Sequence, residues 1–242
     1  GRKKIANTNK KFWDRKDTTY ALNDKKIKKI LKETKEKNFW RIFKSSKFIE
    51  KNYEEDKRNL ILEYNKLGYR DARIISDSIY VENNMIIITL DINEGDTYEF
   101  GDISFTGNTK YTDEDLYTVL NIKKNDVFNQ SILNKQIFGS ENGNDISSLY
   151  LDDGYLFFNA TPIETSINNN LIDLEIRIYE GEQARINKVA IKGNTKTNDH
   201  VIMREIRTRP GDLFKRSEIK RTQRELAQLQ YFDPESFDVK ID

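Results

Sequence analysis

The apolar positions of this chain change period in a fixed order. Ile103 and Phe105 alternate with Asp102, Ser104 and Thr106, which predicts a half-buried strand from Phe100 to the Gly107-Asn108 turn. Thr112 then precedes Asp113-Glu114-Asp115, so its hydroxyl is placed to accept from the N3 amide while the acidic residues complement a helix start. Leu116, Val119 and Leu120 share one side of that short helix. After a polar break at Lys123–Asp126, Ser131 is expected to cap a second helical stretch. It runs through Ile132, Leu133 and Ile137 and resumes at Ile146, Leu149 and Tyr150, interrupted by Gly139 and Gly143. Gly154 suits the stop, where the backbone often needs a positive φ. Strands over Phe157–Ile167 and Leu171–Tyr179 follow, joined by Asn168-Asn169-Asn170, whose side chains tolerate the left-handed conformations of a tight hairpin. The unit reads β-α-α-β-β.

The same landmarks recur at one offset. Tyr64, Gly68-Tyr69, Glu94-Gly95 and Gly107-Asn108 reappear 86 positions on as Tyr150, Gly154-Tyr155, Glu180-Gly181 and Gly193-Asn194. A fixed period means copies of one supersecondary unit in tandem. The expected fold class is α+β, with units at 1–96, 97–182 and 183–242, each a small three-stranded mixed sheet covered by two helices. Copy one places helices near Asp24–Lys32 and Phe48–Leu67 and strands at Arg73–Val81 and Met85–Asn93; its first strand, somewhere in residues 1–20, is divergent or truncated. Copy three opens a strand at Ile186, Val189 and Ile191, carries helices near Val201–Arg207 and Ser217–Gln230, and stops in its second strand, around Phe237–Ile241. Pro162 in the second strand of the central copy cannot donate to a ladder, so that strand belongs on an edge and the aliphatic third strand in the middle.

Composition narrows function mainly by exclusion. Lys+Arg 41 against Asp+Glu 40 leaves a formal charge of +1, so no global field recruits nucleic acid or an anionic surface. No apolar run approaches the roughly 18 residues that a membrane-crossing helix needs. With no Cys and a single His200 among polar residues, there is neither a disulfide nor a thiolate metal site, and no metal or other cofactor is expected. The acidic Asp152-Asp153-Gly154 and Glu94-Gly95-Asp96 lack the spacing of a calcium loop, and are read as a helix end and a strand exit. The Gly-Asn-Thr-Lys turns lack the successive amides of a phosphate cradle. No nucleophile, base and orienter come together, so catalytic residues are not expected and the chain is read as non-enzymatic.

Local features carry more. Arg204, Arg207, Arg209, Lys215, Arg216, Lys220, Arg221 and Arg224 make the one concentrated basic group, a candidate patch for a partner or for anionic lipid headgroups centred on Arg216, Lys220, Arg221 and Arg224. Gly95 and Gly181 are candidate hinges, since a flexible residue sits where few contacts need cross. An edge strand leaves a row of unpaired amides and carbonyls. Arg73–Val81 has neither Pro nor Gly, which makes Arg73, Ile75, Asp77, Ile79 and Val81 the candidate edge for binding an added strand.

The β-α-α-β-β unit, Tyr-x-x-x-Gly-Tyr at Tyr64–Tyr69 and Tyr150–Tyr155, the Ile-x-Glu-Gly exit at Ile92–Gly95 and Ile178–Gly181, and the opening Gly-Asn turn resemble POTRA domains. They look most like the periplasmic part of the Omp85 superfamily, and Gly68–Ala72 is similar to versions from Bacteroidota-like bacteria. The third copy departs, with Leu226-x-x-Leu229-Gln230-Tyr231-Phe232-Asp233 and Pro210-Gly211-Asp212-Leu213-Phe214 similar to the unit that immediately precedes the family's membrane barrel. The resemblance implies the last three units of an array on the periplasmic side of a Gram-negative outer membrane. It also implies assembly of β-barrel proteins, with unfolded outer-membrane protein clients, accessory lipoproteins as partners, and a membrane attachment through a barrel outside this sequence. The alternatives are the translocation-assembly or two-partner secretion branches of the same superfamily. From another class come KH-like nucleic-acid-binding repeats, which need a Gly-x-x-Gly clamp and a basic face that the copies lack.

Overall fold

The computed structural model describes residues 2–7, 21–22, 24–31, 50–82, 85–140, 142–194, 197–229 and 239–241. Its contacts form two compact units, one of residues 1–101, 123–131 and 166–173, the other of 102–122, 132–165 and 174–242.

In the first unit, β1 (Arg2–Asn7), β3 (Met85–Asn93) and β2 (Arg73–Glu82) make a sheet in the order β1-β3-β2. β1 runs parallel to β3 and β2 antiparallel, so the sheet is mixed with the third strand in the middle. α1 (Asp24–Ile30) and α2 (Glu50–Lys66) belong to the same unit. α2 buries Tyr53, Asp56, Leu60 and Tyr64, a stripe at helical spacing. The core joins that stripe to Ile27, Leu31, Ala72, Ile88, Leu90 and Ile92. The first strand of copy one therefore exists, but at Arg2–Asn7, earlier than the 86-residue offset from β4 (Glu99–Thr106) places it. A longer connection to α1 breaks the period there.

The second sheet has the order β4-β6-β5, with β6 (Leu171–Tyr179) central and β5 (Asn159–Asn168), the strand of Pro162, on the edge. Asn169 and Asn170 take φ of 50° and 65° in the hairpin, the left-handed pair that such a turn requires. α3 (Asp113–Leu120) opens with a full capping box: Thr112 accepts from the Asp115 amide while the Asp115 carboxylate accepts from Thr112 N–H. α4 (Gln130–Phe138) and α5 (Ile146–Asp152) are separated at Gly139 and Gly143. The cap of α4 is Asn129 and not Ser131. The buried Asn129 carboxamide accepts from the Ser131 amide at 3.0 Å, and Ser131 lies two positions too late to serve, already inside the helix. α5 is capped by the fully buried Asp145, which accepts from the Ser148 amide and hydroxyl and from Ser140.

The third copy carries α6 (Asp199–Glu205) and α7 (Arg216–Gln228), which pack through Ile202, Ile206 and Leu226. The strand expected at Ile186–Ile191 does not form. Only an isolated bridge between Arg185 and Leu213 is present there. In the two sheets that form, the first strand pairs with the third strand of its own copy, and among the described residues copy three has no third strand to receive it. Of the strand expected around Phe237–Ile241, residues 237 and 238 lie outside the described residues, and 239–241 take no strand.

Candidate functional site

β2 is the terminal strand of its sheet, and among the described residues nothing pairs with its outer side. Its register against β3 shifts between Ile74 and Ser76, so Ile75 sits in a bulge. From Ser76 opposite Asp91 to Glu82 opposite Met85 the ladder is unbroken. Apolar side chains stand in the open along it, with Ile79 44%, Tyr80 49% and Val81 71% exposed. Asp77 is fixed to the helix layer: Lys57 of α2 donates to its carboxylate at 2.9 Å and also meets Glu54 at 2.7 Å. The Lys57 ammonium holds the Asp77 carboxyl below its usual range, although partial burial opposes this. Of the five edge residues expected from sequence, Asp77, Ile79 and Val81 lie in the unbroken segment, Ile75 in the bulge and Arg73 beyond it.

The repeated motif residues meet each other. Tyr64 donates its phenolic hydrogen to Glu94 at 2.9 Å, and Tyr150 donates to Glu180 at 3.0 Å. Both tyrosine rings are fully buried, and burial followed by the Glu180 bond pushes the Tyr150 hydroxyl well up. Glu180 also accepts from the Thr109 amide at 2.7 Å, the Lys110 amide at 2.9 Å and the Thr109 hydroxyl. Burial by itself would raise the Glu180 carboxyl, but these hydrogen bonds outweigh it and hold the group below its ordinary value. Glu180 is thus a clasp on the Gly-Asn-Thr-Lys turn of its own copy. Sequence reasoning treated the exit Glu as a plain strand exit, because nothing local marks partners 30 and 71 residues away.

The passage from one copy to the next also repeats. Tyr98 N–H donates to the Gly68 carbonyl and Phe128 N–H to the Tyr98 carbonyl, both at 2.9 Å. In the third copy Ala184 donates to Gly154 at 2.8 Å and Phe214 to Ala184 at 3.0 Å. Gly95 and Gly181, the expected hinges, both lie in the left-handed region, with φ of 71° and 72°. The chain is pinned three residues after each. Helix ends add a second tie. Asn129 donates to the Lys66 carbonyl at the end of α2, and Asp152 at the end of α5 accepts from the Ser217 amide of α7 at 2.7 Å.

The basic group is partly neutralised. Glu225 pairs with Arg207 at 3.1 Å and Arg221 at 3.0 Å, and Arg204 pairs with Glu205. Among the described residues Arg216, Lys220 and Arg224 have no ion-pair partner and stand as a stripe one helical turn apart on α7. A polar groove of about 760 Å3 lies between α3 and α5, lined by Lys110, Tyr111, Asp145, Ser148, Asp152 and Asp153. Lys110 and the Tyr111 hydroxyl both engage Asp153, and Asp145 is spent on its serines, so the groove holds no set of groups poised for chemistry. Among the described residues no cluster of potential metal ligands occurs, and no helix is long and apolar enough to cross a membrane.

The model of the POTRA family, described as surface antigen variable number repeat, matches residues 17–95, 98–181 and 184–242. The chain belongs to the POTRA family. It is 30% identical over 170 residues to the outer membrane protein assembly factor BamA of Nitratidesulfovibrio vulgaris, covering 68% of this chain and 21% of that one. It is 26% identical over 219 residues to BamA of Neorickettsia risticii, covering 90% and 28%. Against BamA of Neisseria meningitidis serogroup B it is 23% identical over 224 residues, covering 90% and 27%. The chain thus spans about a quarter of the length of these curated relatives. The crystal structure of Haemophilus influenzae BamA POTRA3-5 superposes with a TM-score of 0.68 at 15% identity, covering 96% of this chain and 86% of the other. That likeness bears on fold. The POTRA array is BamA-like.

Proposed function

We propose that this POTRA array is a non-enzymatic scaffold of outer-membrane β-barrel assembly, working on the periplasmic side of the outer membrane. It would bind unfolded barrel precursors and, through its surface, accessory lipoproteins, with a membrane attachment supplied by a barrel elsewhere in the protein. The similarity to BamA assembly factors supports the setting. The observation that carries the client-binding reading is the open, apolar edge of β2. An extended segment can add to such an edge, its backbone bonds giving affinity without demanding one sequence. β5, the matching edge strand in copy two, is blunted by Pro162.

Two further surfaces belong to the proposal. Arg216, Lys220 and Arg224 offer cations to an acidic partner or to lipid headgroups, each contributing about 1 kcal/mol near an anionic surface. Arg221 contributes less, since Glu225 already holds it. Bending at Gly95 and Gly181 is confined to the few residues before Tyr98 and Ala184, where the backbone bonds begin.

Consecutive amides of a strand point to opposite edges, so one of Asp77 and Ser78 directs its N–H away from β3. The test replaces each by Pro in the whole chain. The variant that stays folded should lose binding to an extended client peptide, because the outward amide is the one an edge strand gives up without unfolding. Undiminished binding by the folded variant would refute the reading.

A further inference from the structure

β2 presents two chemically different rows. In an antiparallel ladder, residues directly opposite each other project to the same face. Asp77 stands opposite Leu90 and Ile79 opposite Ile88, and both of those β3 side chains are fully buried in the core beneath the helices. Asp77 and Ile79 therefore lie on the helix side, as the Lys57 contact to Asp77 requires. The register is unbroken to Val81, which falls on the same side. Ser76, Ser78 and Tyr80 make the other row. Every one of these residues is exposed. The apolar stretch of the helix-side row, Ile79 and Val81, thus sits at the open edge, where a neighbouring strand would cover it. The bulge at Ile75 ends the regular ladder at one side.

We infer that this edge reads side-chain alternation: it takes a strand of period two whose apolar row faces the helix side against Ile79 and Val81, and pairs with it only between Ser76 and Glu82. The inference rests on the edge-pairing reading and adds a selection rule to it. Since side chains alternate, a slip of one residue would carry the polar row of the guest onto Ile79 and Val81, so an alternating guest binds in one parity. Barrel strands of outer membranes alternate in this way, one face toward lipid and one toward the lumen. A segment with its apolar residues in one block cannot bury them all on one side. It can use the backbone ladder but gains only part of the apolar contact. Asp77 at the end of the row is engaged by Lys57, which also meets Glu54, so the selection is carried by the apolar pair Ile79 and Val81.

The experiment titrates the whole chain with four seven-residue peptides flanked by the same lysines. One alternates Val and Thr, the second has the same composition with its Val residues in one block, and the third and fourth are the alternating peptide N-methylated at one or the other set of every second backbone amide. The alternating peptide should bind about tenfold more tightly than the blocked one. In the variant carrying Ile79→Thr and Val81→Thr, two exposed changes that keep β-branching, that preference should fall to near unity. Equal binding of alternating and blocked peptides, with one of the N-methylated forms failing, overturns the selection rule and leaves edge pairing standing. Binding of both N-methylated forms, one for each choice of methylated amides, as tightly as the parent overturns edge pairing itself. A concentration-dependent dimer of the chain alone that Val81→Thr abolishes would assign the edge to a second copy and overturn the inference as well.

Discussion

Replacing Glu180 by Ala should loosen the Gly107-Asn108-Thr109-Lys110 turn and the end of β6 together. The carboxylate serves four donors, the Tyr150 hydroxyl, the Thr109 amide and hydroxyl, and the Lys110 amide. Hydrogen bonds to a charged group are worth about 1.5–3 kcal/mol each when shielded. Thr109 and Lys110 are exposed and can turn to water, whereas Tyr150 is fully buried and cannot. The expected loss is therefore dominated by the phenol, about 2–4 kcal/mol in all. Amide hydrogen exchange reads it locally: Thr109 and Lys110 should exchange at least about tenfold faster, since a factor of ten corresponds to about 1.4 kcal/mol. The pH dependence has a definite sign. The Glu180 carboxyl is held below its ordinary 4.5 in the folded state, so its contribution is complete above that value and is lost as the pH falls through the folded value. In Glu180→Gln the protection should be partly kept and that acid-driven loss should vanish. Unchanged exchange at both amides in Glu180→Ala would refute the clasp.

Gly154→Ala should cost more than an ordinary Gly→Ala at a loop. Its φ is 89° and a β-carbon would lie 2.7 Å from Leu213, and a thermal-unfolding shift no larger than that of Gly139→Ala, where nothing lies within 4 Å, would contradict the account. Asp152→Ala should destabilise the start of α7 by about 0.5–2 kcal/mol as a lost cap, seen as faster exchange at Ser217; no change there would show the bond to be idle. Reversing Arg216, Lys220 and Arg224 to Glu should weaken binding to an acidic partner or to anionic vesicles and leave the unfolding midpoint nearly unmoved, because exposed charges contribute little to stability. Unchanged binding to both would remove this patch from the proposal.

The repeat carried most of the fold into the sequence. Motif spacing placed β2, β3, β4 and β6 within a residue or so of their observed bounds, and Pro162 correctly assigned β5 to an edge. What escaped was long-range or off-period. β1 lies outside the 86-residue frame, and a strand flanked by Lys and polar residues has little pattern of its own. Asn129 and Ser131 are both good cap residues two positions apart, and only the backbone trace chooses between them. The bulge at Ile75 leaves no mark in Arg-Ile-Ile-Ser, yet it separates Arg73 and Ile75 from the usable ladder. Arg221 was counted in the basic patch, although Glu225 stands at the i,i+4 spacing at which the two pair. The capping of α7 by Asp152 was not, because the cap comes from the preceding copy.

The most direct test of the central claim is residue-resolved amide protection along β2 when the whole chain is given a saturating alternating peptide. Alternate amides of an edge strand already bond to β3, and the others point outward. The account predicts new protection at every second residue between Ser76 and Glu82, with none added at Arg73 or Ile74 on the far side of the bulge. New protection on consecutive residues, protection centred on β5, or binding with no added protection on β2 would contradict it.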